Sequence, residues 1–429
     1  MRLIERHIKP LIVEALSDTR AVCLLGARQV GKSTLVKEIA SHEHPASYIT
    51  LDDEATRRSA LDDPTGFIAV ISGPAVIDEI QRAPDLMLAI KVRLDTVNDR
   101  GQFLLTGSAN VVTLPRIADA LPGRVEYIRL WPFSQGELGE VRERFLDRLF
   151  AGEPPRVEGA EVGRQAYAER IGTGGFPDAQ GRGVRGRSRF FASYVESILE
   201  RGVGDVARVR DIADVSRLLS VVAARSATLM SARGMGAELG LSHKTVAAHT
   251  KILEDLFLVR RLRPWHTNLG SRQVKTPKLY VTDTGLLAHL VNANADRLAR
   301  DAALAGPVFE TFVAMELERQ REWSECEPSL FHYRDGQQRE VDIVLELRSG
   351  EVAGIEVKST ATVRPRDFAG LRYLRDRLGP RFKAGVVLYT GERTLPFGDR
   401  MTAVPLCGLW QRVSPSSAPY RSQAGHAMR

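Results

Sequence analysis

The sequence predicts an α/β fold that opens with a parallel sheet, and three observations carry that prediction. Short apolar runs alternate with stretches of helical spacing through residues 1–135. A glycine-rich turn follows the first apolar run and leads straight into a helical stretch. A later apolar run ends in two adjacent acids. In order, AVCLLG (21–26), SYITLDD (47–53), GPAVIDE (73–79) and GQFLLTGS (101–108) read as buried strands, with RVEYIRL (124–130) as a fifth. The helical stretches between them imply a sheet covered on both faces.

The 429 residues suggest two to four domains, at roughly 100–200 residues each. No apolar run approaches the ~20 residues of a membrane span, so no membrane association is expected. The N-terminal stretch MRLIERHIKPLIVEAL has charges throughout and reads as an amphipathic helix rather than a signal peptide. The three cysteines, Cys23, Cys326 and Cys407, are scattered in apolar surroundings. They point to neither a disulfide framework nor a zinc site, and so to a reducing cytoplasm. Net charge is +7, but only ten of the 60 basic residues are lysine. Arginine-rich surfaces of this kind also follow from a GC-rich genome, so the charge is weak evidence for nucleic acid.

Composition divides the chain into 1–135, a Gly-, Pro- and Arg-rich linker or lid at 136–190, a helical segment at 191–300, an α/β segment at 301–412 and a disordered tail at 413–429. The first segment carries the clearest chemistry. Gly26, Ala27, Arg28, Gln29, Val30, Gly31, Lys32 and Ser33 fit G-x-x-x-x-G-K-[ST], with Thr34 opening the helix behind them. The glycines let backbone N–H groups curl around phosphates, backed by the helix N-terminus. Lys32 is expected to reach the β and γ phosphates of ATP, and Ser33 to ligate Mg²⁺. Asp78 would hold the same ion, and Glu79 would act as general base on the attacking water. Thr106 or Ser108, ending the fourth strand, could sense the γ-phosphate. Arg124 could serve as an arginine finger, in cis or across a subunit boundary. Oligomeric state is not fixed by the sequence.

GARQVGKSTL, AVIDEIQRAPDL, FLLTGSAN and LPGRVEYIRLWPFSQGEL, in that order, resemble the bacterial and archaeal AAA-type P-loop ATPases with a C-terminal domain of unknown function. GTGGFPDA (172–179), YVESILERGV (194–203) and KLYVTDTGLL (278–287) extend the resemblance over most of the chain. It implies ATP binding, hydrolysis of the P-loop kind and a cytoplasmic setting, and supplies no substrate. This chain has Gly-Lys-Ser-Thr where many relatives have Gly-Lys-Thr-Thr, and Gly202 where many have an acid.

In MSARGMGAELGLSHKTVAAHTKILEDLFLVRRLRPW (230–265), a short helix should end at Gly240 and Ser242 should cap a second of about twelve residues. This is a winged-helix layout, with Lys244, Thr245 and His249 on an exposed face and FLVRRLRPW as the wing. If it reads DNA, Lys244 and Arg260–Arg261 should contact phosphates. Winged helices also serve as protein-docking or lid modules.

Farther on, the even positions Glu340, Asp342, Glu356 and Lys358 are charged and the odd positions between them apolar. They share one face if the turn between the strands has an odd number of residues, as a three-residue loop with left-handed Gly350 provides. Asp342 with Glu356-x-Lys358 resembles the core of PD-(D/E)xK nucleases, whose acids bind Mg²⁺. Glu310 resembles the acid their first helix adds. An ordinary sheet with one solvated face has the same alternation.

The sequence thus favours a Mg-ATP-binding and hydrolysing switch that controls winged-helix and nuclease-like C-terminal domains. The alternatives are an ATP-gated DNA-binding protein or metal-dependent nuclease, and an adaptor in which nucleotide only orders the fold. The expected partners are ATP, with DNA or a protein as the second.

Overall fold

The computed structural model describes residues 3–108, 123–160, 162–202, 212–266 and 276–411, so the tail expected to be disordered, 413–429, lies outside the described residues. All five predicted strands are present: β1 (Ala21–Leu25), β2 (Ser47–Thr50), β3 (Ala75–Asp78), β4 (Phe103–Gly107) and β5 (Val125–Arg129). They form one parallel sheet in the order β2-β3-β4-β1-β5. Strands β1, β3 and β4 are buried along their whole length, which explains their unbroken apolar runs. Helices α1 (Lys9–Asp18), α2 (Lys32–Ser41), α3 (Glu54–Asp62), α4 (Pro64–Ala69) and α5 (Leu86–Thr96) accompany them. In a parallel sheet every strand ends at the same edge, so the loops after β1, β3 and β4 meet there.

Residues 136–190 are not a linker. Helices α6 (Gln135–Leu138), α7 (Phe145–Phe150), α8 (Arg164–Thr173) and α9 (Val184–Ser197) cross this stretch. Tyr167, Ile171 and Phe176 are buried, and the Tyr167 hydroxyl accepts the Cys407 amide at 3.1 Å. Aromatic burial outweighs a Gly- and Arg-rich composition that reads locally as loop.

Helices α10 (Ile212–Ala224), α11 (Ala232–Leu239) and α12 (His243–Asp255) follow. The α11 helix stops at Gly240 in the left-handed region (φ 72°), and Ser242 caps α12 by accepting the Thr245 amide at 3.0 Å. Strands β6 (Val259–Pro264) and β7 (Lys278–Val281) pair antiparallel. Their pairing continues past residue 300, because β6 also pairs parallel with the strand at 329–334. Together with β8 (Ser329–Arg334), β9 (Glu340–Glu346), β10 (Val352–Lys358), β11 (Phe382–Tyr389), β12 (Leu395–Pro396) and β13 (Met401–Pro405) they make one eight-stranded sheet, ordered β12-β13-β11-β10-β9-β8-β6-β7. The remaining helices are α13 (Thr284–Leu290), α14 (Ala295–Arg300), α15 (Ala302–Arg321) and α16 (Ala369–Leu378). A continuous apolar core runs from Ile8 in the first segment to Trp410 in the last.

Candidate functional site

The phosphate loop leaves β1 at Leu25 and turns into α2. A Cβ on Gly26 would lie 2.2 Å from the Leu130 carbonyl oxygen, so only glycine fits there. Gly31 precedes α2 with φ 96°, a conformation L side chains rarely adopt. Ala27 and Val30 are buried, Arg28 is half-buried, and Gln29 and Thr34 are exposed. The Lys32 side chain is buried, and its Nζ donates to the carbonyls of Gly26 (3.0 Å) and Ala27 (2.9 Å). Burial disfavours its charge and lowers its pKa to about 8, against the opposing pull of Glu79 and Asp78.

At the ends of the neighbouring strands, the predicted acids converge on this loop. Ser33 Oγ donates to Asp78 Oδ1 at 3.2 Å, and the Thr106 hydroxyl donates to the same oxygen. Tyr48 OH donates to Asp78 Oδ2 at 2.6 Å. A hydroxyl and a carboxylate side by side, within an all-oxygen set, have the donor chemistry Mg²⁺ prefers. Glu79 follows in the left-handed region (φ 62°), with its amide donating to Thr106 Oγ1 at 3.0 Å. Such a backbone costs about 1 kcal/mol or more in a residue other than glycine.

Sequence reasoning missed three side chains that brace this site. Gln81 donates to the Glu79 carboxylate and to Ser108 Oγ (2.7 Å), and accepts the Ser108 amide at 3.3 Å. It thus joins the candidate base to the candidate sensor. Its only signal was its place in the stretch AVIDEIQRAPDL. Tyr48 on β2 is the second. Arg6 is the third: buried, it donates to the carbonyls of Val30 (2.8 Å) and Trp131 (2.6 Å) and to Glu137 (3.0 Å). The N-terminal stretch therefore holds the outside of the phosphate loop.

Arg124 is placed where it cannot serve this site within its own chain. It precedes Val125, which pairs with Ala21 at the start of β1, whereas the loop follows Leu25 at the far end. Five strand residues separate the two ends by roughly 16 Å. Arg124 is bonded to Asp95 instead. An arginine finger role is left only across a subunit boundary. Other arginines face the loop. A cleft of about 550 Å³ opens between Arg28 and Gln29 on one side and Arg182, Arg189, Tyr194 and Ile198 around α9 on the other. Tyr194 is 4% exposed, and among the described residues its hydroxyl has no hydrogen-bond partner.

The expectations for the middle segment are met in part. Lys244 is exposed, but His249 is buried because it shares the inner face of α12 with Val246 and Leu253. Arg260 pairs with Glu318 (2.7 Å) and Arg261 with Glu254 (2.9 Å). Both guanidinium groups are thus neutralised by acids of this chain rather than presented to phosphates.

The C-terminal quartet does come together. Leu347 N bonds to Glu351 O at 2.9 Å, leaving the three-residue turn 348–350 with Gly350 left-handed (φ 85°). The β9–β10 register pairs Ile343 with Ile355. Continued one step, it sets Asp342 opposite Glu356. The Lys358 ammonium lies 3.2 Å from Glu356, the Val357 amide donates to Asp342 at 2.9 Å, and Glu310 approaches from α15. A residue outside the expected set completes the group. Lys278 Nζ lies 2.8 Å from Glu310, 2.8 Å from Glu340 and 3.6 Å from Asp342. Burial, and then the charge of Asp342, push Glu310 up to about 8; burial with the same neighbour also raises Glu356 well above the carboxylate range. Burial works against the Lys278 charge, but the three acids outweigh it and hold the ammonium well above the ordinary lysine range.

The first sheet and its loop define an AAA-type P-loop ATPase domain, and residues 18–139 match the family model described as AAA domain. Residues 164–297 and 305–409 match two further models, each described as a domain of unknown function, DUF8612 and DUF4143. Uncharacterized protein Rv2008c of Mycobacterium tuberculosis is 31% identical over 401 residues, covering 91% of this chain and 81% of that protein. Uncharacterized protein Mb2031c of Mycobacterium bovis matches to the same extent. The chain belongs to the family of these proteins. A solved Walker-type ATPase of Pyrococcus abyssi is 17% identical, with 67% of this chain and 96% of that chain covered at a TM-score of 0.42. No helix among the described residues is long and apolar enough to cross a membrane.

Proposed function

We propose that this chain is a Mg-ATP-hydrolysing switch whose nucleotide state controls the segment that begins with α9, and through it the C-terminal domains. The observation that carries this reading is the cleft between the phosphate loop and α9. A nucleotide on the loop would touch both sides of that cleft, and only such differential contact can shift a conformational equilibrium.

On this reading Lys32 leaves the Gly26 and Ala27 carbonyls for the β and γ phosphates. Ser33 and Asp78 hold Mg²⁺, which supplies charge neutralisation on the phosphate oxygens. Thr106 fixes both the Asp78 carboxylate and the Glu79 amide. Glu79, held by Gln81, orients and polarises the attacking water. Arg28, Arg182 and Arg189 stabilise negative charge on the γ side. Loss of the γ-phosphate removes their shared anion, and α9 is released from the loop.

Hydrogen exchange tests the switch. ATPγS with Mg²⁺ should slow exchange in 184–197 as well as in 26–41, relative to ADP. Protection confined to 26–41 in both nucleotide states would contradict coupling to α9.

A further inference from the structure

The metal-dependent chemistry implied by the nuclease-like arrangement needs carboxylate oxygens free to converge on a divalent ion. Mg²⁺ requires them at about 2.0–2.1 Å, in near-octahedral geometry. The residues present do not fit that need. Lys278 on β7 is 2% exposed, and its ammonium touches Glu310 on α15 and Glu340 on β9, with Asp342 next in reach at 3.6 Å. The same Glu310 oxygen also accepts Tyr280 OH at 2.8 Å. The second Asp342 oxygen is taken by the Val357 amide, and Glu356 by Lys358. Among the described residues, no group of three or more His, Cys, Asp or Glu side chains is arranged to hold a metal ion.

A lysine is almost never fully buried unless paired, so its position among three acids is structurally demanding. An ammonium and a divalent ion compete for the same oxygens. The ammonium has the advantage of being covalently present at every moment.

We infer that Lys278 is the resident cation of this cluster, in the place a divalent metal would take, and that the C-terminal module carries no metal-dependent nuclease centre. The lysine comes from β7, in the segment before 300, and its acids come from the segment after it. The cluster therefore fastens the two together instead of cutting nucleic acid. The inference is independent of ATP turnover.

Mn²⁺ binding by the nucleotide-free full chain, followed by electron paramagnetic resonance, tests it. Asp78→Asn serves as control for the phosphate-loop site. The wild type should bind no stoichiometric Mn²⁺ that Asp342→Asn removes. Lys278→Ala should gain one Mn²⁺ per chain, at least about tenfold tighter than any wild-type binding, and Asp342→Asn should abolish that gain. A wild-type Mn²⁺ site lost in Asp342→Asn would overturn the inference, as would a folded Lys278→Ala chain that gains nothing. If Lys278→Ala does not fold, the comparison of wild type with Asp342→Asn decides alone.

Discussion

The Asp283 carboxylate accepts the Gly175 amide at 2.7 Å, across 108 positions of sequence. It also caps α13 through the Leu286 amide at 3.0 Å and lies 3.8 Å from Arg319. Around this contact the Phe133 amide donates to Gly175 O (2.8 Å), the Gln135 amide to Glu316 (3.0 Å) and Arg319 Nε to Pro132 O (2.9 Å). The stretches WPFSQGEL, GTGGFPDA and KLYVTDTGLL thus meet at one buried junction between the ATPase domain and the rest of the chain.

Removing this carboxylate leaves buried donors and a buried guanidinium without their acceptor. Asp283→Ala should cost about 3–5 kcal/mol of stability in urea unfolding. A loss below about 1 kcal/mol would show that the junction does not hold the segments together.

Gln81 bonds to the Glu79 carboxylate and to Ser108. Gln81→Ala should lower kcat about tenfold, about 1.4 kcal/mol of barrier, and leave KM within about twofold. A rise in KM at constant kcat would instead place Gln81 in nucleotide binding.

The arginines of the cleft and of the sheet's far end separate cleanly. Arg189→Ala should reduce turnover by about tenfold in protein kept monomeric by dilution, and Arg124→Ala by less than about twofold. The reverse order would contradict the cleft assignment, and an Arg124→Ala loss that appears only at concentrations where chains associate would mean that an arginine finger crosses between chains.

Burial holds the Lys32 amine at a pKa of about 8. Bound phosphates favour the ammonium and raise that value, so ATP binding takes up a proton at higher pH. ATP affinity should therefore be flat below about pH 7.5 and should fall above pH 8, toward tenfold per unit. Calorimetry in buffers of different ionisation enthalpy should detect the uptake at pH 8.5 and little at pH 7. An affinity unchanged to pH 9.5 would contradict this.

What the sequence made legible is what local signals encode. The five strands of the first sheet, the phosphate loop, the Asp78–Glu79 strand end, the Ser242 cap and the three-residue turn at Gly350 each announce themselves within a few residues. Arg124 shows the limit: a strand's residues do not say which end faces the site until the register with β1 is known. Composition misled at 136–190, where a few buried aromatics pack helices that read as loop. Lys278 had no local mark, because the acids that accept it lie on α15 and β9, at least 32 positions away. Arg6 was hidden for the same reason, as was the bond from Gln81 to Ser108, 27 positions away.

The most direct measurement is steady-state ATP turnover with Mg²⁺ by the wild type beside Glu79→Gln, with nucleotide affinity measured on both. The role of Glu79 as general base requires that the variant lose turnover by about 100-fold or more while binding ATP within about threefold of the wild type. Equal turnover in the two proteins, or a loss that merely follows weakened binding, would contradict it.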